Sequence, residues 1–431
     1  MLRTCRLPSR QISYQPHRHI SNSRHFAPGD HVLLRSVKDR TAAPLLTKPL
    51  TPGHKHDTHR GPISHNDILG KTVRDVVSTT AGKLAAAEYR LHEVKLEEYV
   101  RLTRRLVTPL YPQDAQLIVN LLDLHPEPPR YGGSTGNGKE DRLEILEAGT
   151  GHGALTLHLS RAIHAANPPL PRHIQKNSSN EEEDHNIALS AWKSTRNAII
   201  HTIELNPKYS THAQKIVRGF RHGMYAHNID FHIGSVSEWI TSALASPDRN
   251  QNRKGEPFLS HAFLDLPGTE DHLATVAKAL RVDGALVVFC PSITQIMTCF
   301  ETVKAGKIPL DLDKVVELGV NGGSGGREWD VRLVRPRGAA SAGGKKVVRE
   351  AGVVGGGEVT EGEVGRGEGD SGVDVSEGID TKSTTPSTPP TTSTTTDVAA
   401  PGLKMVCRPK VGEMIVGGGF LGVFRKKRQD S

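Results

Sequence analysis

The run Glu144-Ile145-Leu146-Glu147-Ala148-Gly149-Thr150-Gly151-His152-Gly153 constrains this chain more than any other. An apolar strand breaks into a turn with glycines at alternate positions, which feeds the helical stretch Ala154-Leu155-Thr156-Leu157-His158-Leu159. Such glycines let the backbone take positive φ and approach a ligand closely, and an acid at the strand end holds a charged or hydroxylated group. The pattern implies an α/β architecture with a nucleotide-like cofactor at the end of a first β-strand.

Details of the turn select the cofactor. A dinucleotide fingerprint needs G-x-G-x-x-G, which seats a pyrophosphate on the helix N-terminus, whereas the pattern here is G-x-G-x-G. A phosphate-cradling loop would end in Gly-Lys-Ser/Thr, and residues 151–156 hold no lysine. Glu147 repels a diphosphate and attracts a cation. S-adenosylmethionine, with a positive centre and an amino-acid ammonium, answers these demands. An ordinary glycine-rich strand-helix junction has the same short pattern, so the rest of the chain has to decide.

The net charge of +8 is unevenly spread: residues 350–380 hold nine acids against Arg366 alone, a net of −8, and the remainder carries +16. A basic remainder of this size suits a partner rich in phosphate. Cys5, Cys290, Cys299 and Cys407 show no C-x-x-C or Cys/His ligand spacing, which gives no metal site, no disulfide framework and a reducing compartment as the default. No apolar run approaches the length of a bilayer span. Between Met1 and Gly29 there is no acid, while Arg3, Arg6, Arg10, Arg18 and Arg24 alternate with serines. That composition marks residues 1–25 as a mitochondrial transit peptide and the matrix as destination; a basic arm that touches RNA directly is the other reading.

Strand signals at Asp30–Arg35 and Gly61–Lys71 predict a small β domain over 26–85. Apolar spacing over 88–107 predicts an amphipathic helix with Arg101, Arg104 and Arg105 offset from its apolar face. Tyr111-Pro112-Gln113-Asp114 leads into a helix over Ala115–Leu122. Strands and helices then alternate, the pattern of a parallel sheet: Leu143–Ala148, Ala198–Glu204, Ile229–Ile233, His261–Asp265 and Ala285–Cys290, with two more strands at Trp329–Val334 and Phe420–Phe424. Residues 86–337 are thus an α/β domain with polar inserts at 125–140, 167–194 and 246–257. Residues 338–402, Gly- and acid-rich and then Ser/Thr/Pro-rich, predict disorder, followed by a last strand and basic tail at 403–431.

Glu204 closes the second strand, where an acid hydrogen-bonds ribose hydroxyls. It lies 55 residues past Gly149 because of the insert, against the usual interval of about 20. Asp265 ends the fourth strand, and Pro267 turns the chain away and leaves its carboxylate in the crevice.

Together with Gly29-Asp30-His31-Val32, Tyr111-Pro112-Gln113-Asp114, Leu264-Asp265-Leu266-Pro267, Pro291-Ser292-Ile293-Thr294-Gln295, Arg408-Pro409 and Gly419-Phe420-Leu421, the Glu147–Thr156 run resembles the tRNA (adenine-58-N1) methyltransferases, catalytic-subunit type. The resemblance runs in order over about 26–337 and 403–425. It implies a Rossmann-like class I methyltransferase fold with a seven-stranded, mainly parallel sheet. It also implies that Glu147, Gly149, Thr150, Gly151, His152, Gly153, Ala154, Glu204, Ser235 and Asp265 line a site for S-adenosylmethionine, and that Asp265 meets the target adenine. Arg101, Arg104, Arg105, Arg425, Lys426 and Lys427 would grip tRNA phosphates without reading sequence. The chain departs from the family at Ser235, where an aspartate is usual, at Gly268-Thr269 after Pro267, and at Val416-Gly417-Gly418-Gly419.

The resemblance implies methylation of N1 of the T-loop adenine by an enzyme that assembles as a homotetramer or with a homologous non-catalytic subunit, in the matrix or, in a nuclear form, in the nucleus. The other reading is the non-catalytic tRNA-binding subunit itself. Retention of the glycine turn, Glu204 and Asp265 favours the enzyme.

Overall fold

The computed structural model describes residues 24–39, 41–80, 86–108, 110–129, 142–171, 182–246, 255–319, 329–334, 404–409 and 418–428. Residues 1–23, on which the transit-peptide expectation falls, the centres of the three polar inserts and the 338–402 segment lie outside the described residues. The chain divides into two units, Met1–Gly326 with Glu413–Ser431, and Arg327–Gly412.

The first unit opens with β1 (Val32–Ser36), β2 (Leu45–Leu46), the hairpin of β3 (Lys55–Thr58) and β4 (Gly61–Ser64), β5 (Val76–Ser78) and β6 (Glu88–Glu93). Four of these form an antiparallel sheet in the order β2-β1-β6-β5, closed over Val32, Leu34, Ile63, Tyr89 and Leu91. Here the structure corrects the helix expected over 88–107. Tyr89 and Leu91 are buried and alternate with exposed Glu88 and Arg90, and Leu91 pairs with Leu34. The apolar spacing serves either period, and the neighbouring strand β1 selects the extended one. Only Leu96–Leu102 is helical (α1).

After α2 (Pro112–Leu122), strands and helices alternate: β7 (Leu143–Ala148), α3 (Ala154–Ile163), α4 (Glu182–Ser194), β8 (Ala198–Glu204), α5 (Pro207–Gly219), β9 (Ile229–Ile233), α6 (Val236–Ala245), β10 (Leu259–Leu264), α7 (Thr269–Ala279), β11 (Leu280–Cys290), α8 (Ile293–Ala305) and β12 (Leu310–Leu318). The second unit contains, among the described residues, the antiparallel pair β13 (Trp329–Val334) and β14 (Lys404–Pro409). The last strand, β15 (Gly419–Lys426), belongs to the first unit.

The main sheet has seven strands in the order β12-β15-β11-β10-β7-β8-β9. Strands β7 to β11 are mutually parallel, and β15 runs antiparallel to both its neighbours. Trp329–Val334 is therefore not the seventh strand; β12 is. The register of β12 against β15 shifts between Leu312 and Lys314, which breaks the alternation a strand would show in sequence. Helices cover both faces, so the central strands are buried almost throughout. Ile145, Ile200, Phe263 and Val287 fill one side, and Leu146, Ala262, Leu264 and Leu286 the other. Each large apolar side chain so buried contributes about 1.5–3 kcal/mol.

Strand order reverses beside β7, with β8 and β9 on one side and β10 and β11 on the other. That switch point opens a crevice at the carboxyl ends of β7 and β10.

Edge strand β9 is fastened by Asp230, which accepts from Arg196 Nη2 at 2.6 Å and Lys193 Nζ at 2.9 Å. Burial opposes ionisation of Asp230, but the Arg196 and Lys193 charges win and hold it well below the usual carboxylate range. The stabilisation is thus complete above the unfolded-state pKa and fades as pH falls. Asp230→Ala leaves the nearly buried Arg196 unpaired and is expected to cost about 3 kcal/mol at pH 7, with a smaller penalty near pH 3, as read by urea unfolding at both pH values.

Candidate functional site

The glycine turn is built by contact with its neighbours. Gly149 N–H and Thr150 N–H donate to the Ile203 carbonyl at 3.0 and 3.3 Å, and Asp265 N–H donates to the Ala148 carbonyl at 2.9 Å. Gly149, at φ +91°, lies so close to β10 that a Cβ there would stand 2.1 Å from the Asp265 carbonyl oxygen and 3.6 Å from the Asp265 Cβ. Gly153, at φ +79°, caps α3 in the left-handed conformation and faces Ala213 of α5. The three elements that carry Glu147, Glu204 and Asp265 therefore meet at one place, and the root of the Asp265 side chain adjoins the turn.

The acids differ in their surroundings. Glu204 accepts from Gly151 N–H at 3.1 Å and from Asn206 N–H at 3.0 Å, beside the exposed Leu205 and Ile233. Asp265 is half-buried by neighbours that offer its carboxyl little solvation, and this burial pushes it up to about 6. Glu147 is sealed at 1% exposure. Its Oε2 accepts from the hydroxyls of Thr156 at 2.6 Å and Thr202 at 2.7 Å. Burial raises it to about 7, with nearby Asp265 adding to the shift and the two hydroxyls opposing it. Glu147 thus ties β7, α3 and β8 together from inside, a role the sequence alone does not reveal because Thr202 is distant in the chain.

Other anticipated site residues are similarly occupied. His152 points inward: its Nε2 lies 3.1 Å from the Val100 carbonyl and 3.0 Å from Thr103 Oγ1, its ring stacks on His212, and burial lowers it to about 4. Thr150 Oγ1 pairs with Thr202 Oγ1 at 2.7 Å, and Ala154 is buried as the first residue of α3. Ser235 precedes α6 at the end of β9, with its side chain making no capping bond.

The basic residues separate into two groups. The segment after α1 passes over the turn, with Val107 Cγ2 3.5 Å from where a Gly151 Cβ would be. Arg104 is exposed there, while Arg105 donates to the Arg101 carbonyl at 3.0 Å and lies over the Tyr111 ring. The expectation for the terminal basic run needs correction. Phe420 pairs with Cys290 but Arg425 with Ala285, so the run lies toward the amino edge of the sheet, away from Asp265. Lys426 is 9% exposed and donates to the Ala277 carbonyl at 2.6 Å, and Lys427 pairs with Asp311 at 3.0 Å. Lys426 is a packing residue and does not face a phosphate.

What this donor set suits is a ligand that carries a positive charge and hydroxyl groups. Positive-φ glycines admit its backbone-close part, Glu204 offers acceptors at the rim, and two dehydrated carboxyls favour positive charge. Among the described residues no group of His, Cys, Asp and Glu side chains forms a metal site.

No protein-family model matches the chain. Over 298 residues, 69% of this chain and 87% of the relative, it is 29% identical to the tRNA (adenine(58)-N(1))-methyltransferase TrmI of Thermus thermophilus, with the same values for the proteins of two strains of that organism. Among solved structures it is similar to the SAM-dependent O-methyltransferase of Thermotoga maritima, with TM-score 0.51, 14% identity, and coverage of 96% of this chain and 98% of that one. The fold is thus the Rossmann-like α/β fold of S-adenosylmethionine-dependent methyltransferases.

Two outcomes follow from the turn and its acid. Gly149→Ala forces a Cβ into backbone at a positive φ and is expected to destabilise the protein by at least about 2 kcal/mol in denaturant melts. Because the folded-state pKa of Glu147 is raised, its ionisation weakens the fold as pH climbs from about 4.5 through 7. Stability measured across that window should therefore fall by about 3 kcal/mol less in Glu147→Gln than in the native chain.

Proposed function

We propose that this protein transfers the methyl group of S-adenosylmethionine to N1 of an adenine in tRNA, the T-loop adenine at position 58. The observation that carries the reading is the dehydrated Asp265 carboxyl rooted against the Gly149 turn at the sheet's switch point. The similarity to the two TrmI proteins supports the choice of substrate and position. S-adenosylmethionine, when bound, supplies an electrophilic methyl carbon on a positively charged sulfur. Glycines 149, 151 and 153 and the acid Glu204 are the residues suited to hold it, with Ser235 at the neighbouring strand end.

Asp265 acts on the other reactant. Adenine N1 has an in-plane lone pair and becomes part of a cationic ring as it is methylated. An ionised Asp265 that accepts a hydrogen bond from the exocyclic amine stabilises that charge as it develops, so no strong base is needed. Holding the base in line with the donor supplies much of the remaining acceleration. A T-loop adenine is stacked in folded tRNA and has to be extruded to reach Asp265. Arg104, exposed beside the turn, would bind the phosphates around it together with its neighbours Arg101 and Arg105. The acid-free presequence supports import into mitochondria, and the reading includes assembly as a homo-oligomer or with a homologous subunit.

The test is methyl transfer to unmodified tRNA followed by nucleoside mapping. Asp265→Ala is expected to lower kcat by about 100-fold or more while cofactor binding persists. Since Asp265 has to be ionised, the native rate should fall as pH drops below about 6. Cofactor binding without transfer by the native protein, alone or with any partner, would favour the non-catalytic tRNA-binding subunit.

A further inference from the structure

Asp114 is a motif residue to which the reading above gives no task. It occupies the third position of α2, whose direction can be fixed from its two ends. At its carboxyl end, Asn120, Asp123 and Leu124 share a cleft with Arg161 and Ala162 of α3, and Asp123 lies within electrostatic reach of His261 near the start of β10. At its amino end, the segment that leads into it touches the glycine turn through Val107. Helices α2 and α3 therefore run side by side in one direction, and the first turn of α2 stands at the carboxyl edge of the sheet, beside the first turn of α3.

There Asp114 as a residue is 4% exposed, and among the described residues none gives its carboxylate a hydrogen bond or an ion pair. Burial pushes it up to about 6. Neither of its oxygens is among the sealed polar atoms that lack a partner, so the carboxylate tip still reaches accessible space. A dehydrated carboxylate without a partner is costly, and each such group calls for an explanation. The other acids at this edge are committed. Glu147 is closed in by Thr156 and Thr202, Glu204 is bonded to Gly151, and Asp265 is assigned to the base. The acid in the glycine motif thus already accepts two hydroxyl hydrogen bonds from inside the fold.

We propose that Asp114 is the carboxylate that receives the α-ammonium of the amino-acid portion of the cofactor. This rests on the reading of the crevice as an S-adenosylmethionine site. The inference makes Asp114 a binding residue and Glu147 a structural one, the reverse of what the motif suggests.

Calorimetric titration with two probes tests it: S-adenosylhomocysteine, which has the ammonium, and 5′-methylthioadenosine, which lacks the amino-acid portion. Asp114→Asn and Asp114→Ala are each expected to weaken S-adenosylhomocysteine binding about tenfold or more and to leave methylthioadenosine binding unchanged. Asp114→Asn should also melt no lower than the native protein at pH 7.5, because it removes a dehydrated charge. Equal losses for both probes, no loss for either, or a lowered melting temperature that tracks the loss would overturn the proposal. A native protein that binds neither probe would overturn the cofactor reading itself, a result distinct from a native protein that binds both and variants that do too.

Discussion

The contact between the bare Cα of Gly149 and the backbone of Asp265 is the constraint on which the site depends. It brings the end of β7 against the end of β10 at the place where strand order reverses, closer than any side chain at position 149 allows. From it follow the crevice, the left-handed turn that starts α3, and the placement of an acid opposite the turn. Gly153 repeats the logic on the other side, where α3 begins against Ala213 of α5.

Once the backbone is so arranged, dehydration sets the chemistry. Glu147, Asp265 and Asp114 are all raised by burial, and each sits at or next to the same edge. Carboxyls in that condition favour a ligand that brings its own positive charge, because the charge restores what burial took away. Their roles diverge by partner. Glu147 is satisfied by two threonine hydroxyls and serves the fold, whereas Asp265 and Asp114 keep their acceptors for other groups.

Much of the fold was legible because central parallel strands are buried on both faces and read as continuous apolar runs. Leu143–Ala148 and Ala198–Glu204 occur as the sequence indicates. The misread elements lie at the margins, where local pattern is ambiguous. Tyr89 and Leu91 suit a helix until β1 pairs with them, and the bulged, charged edge strand Leu310–Leu318 shows no clean alternation. For the site, the glycine turn and the two strand-end acids were visible as motif. Hidden from sequence were facts of packing between distant segments: Thr202 beneath Glu147, the inward turn of His152 toward Val100, the burial of Lys426, and the near-burial of Asp114.

The most direct test of the central claim is a crystal structure with S-adenosylhomocysteine bound. The account requires its density in the crevice between the Gly149–Gly153 turn and Asp265, with the ribose beside Glu204. Density at any other place, or an Asp265 side chain turned out of that crevice in the complex, would contradict it.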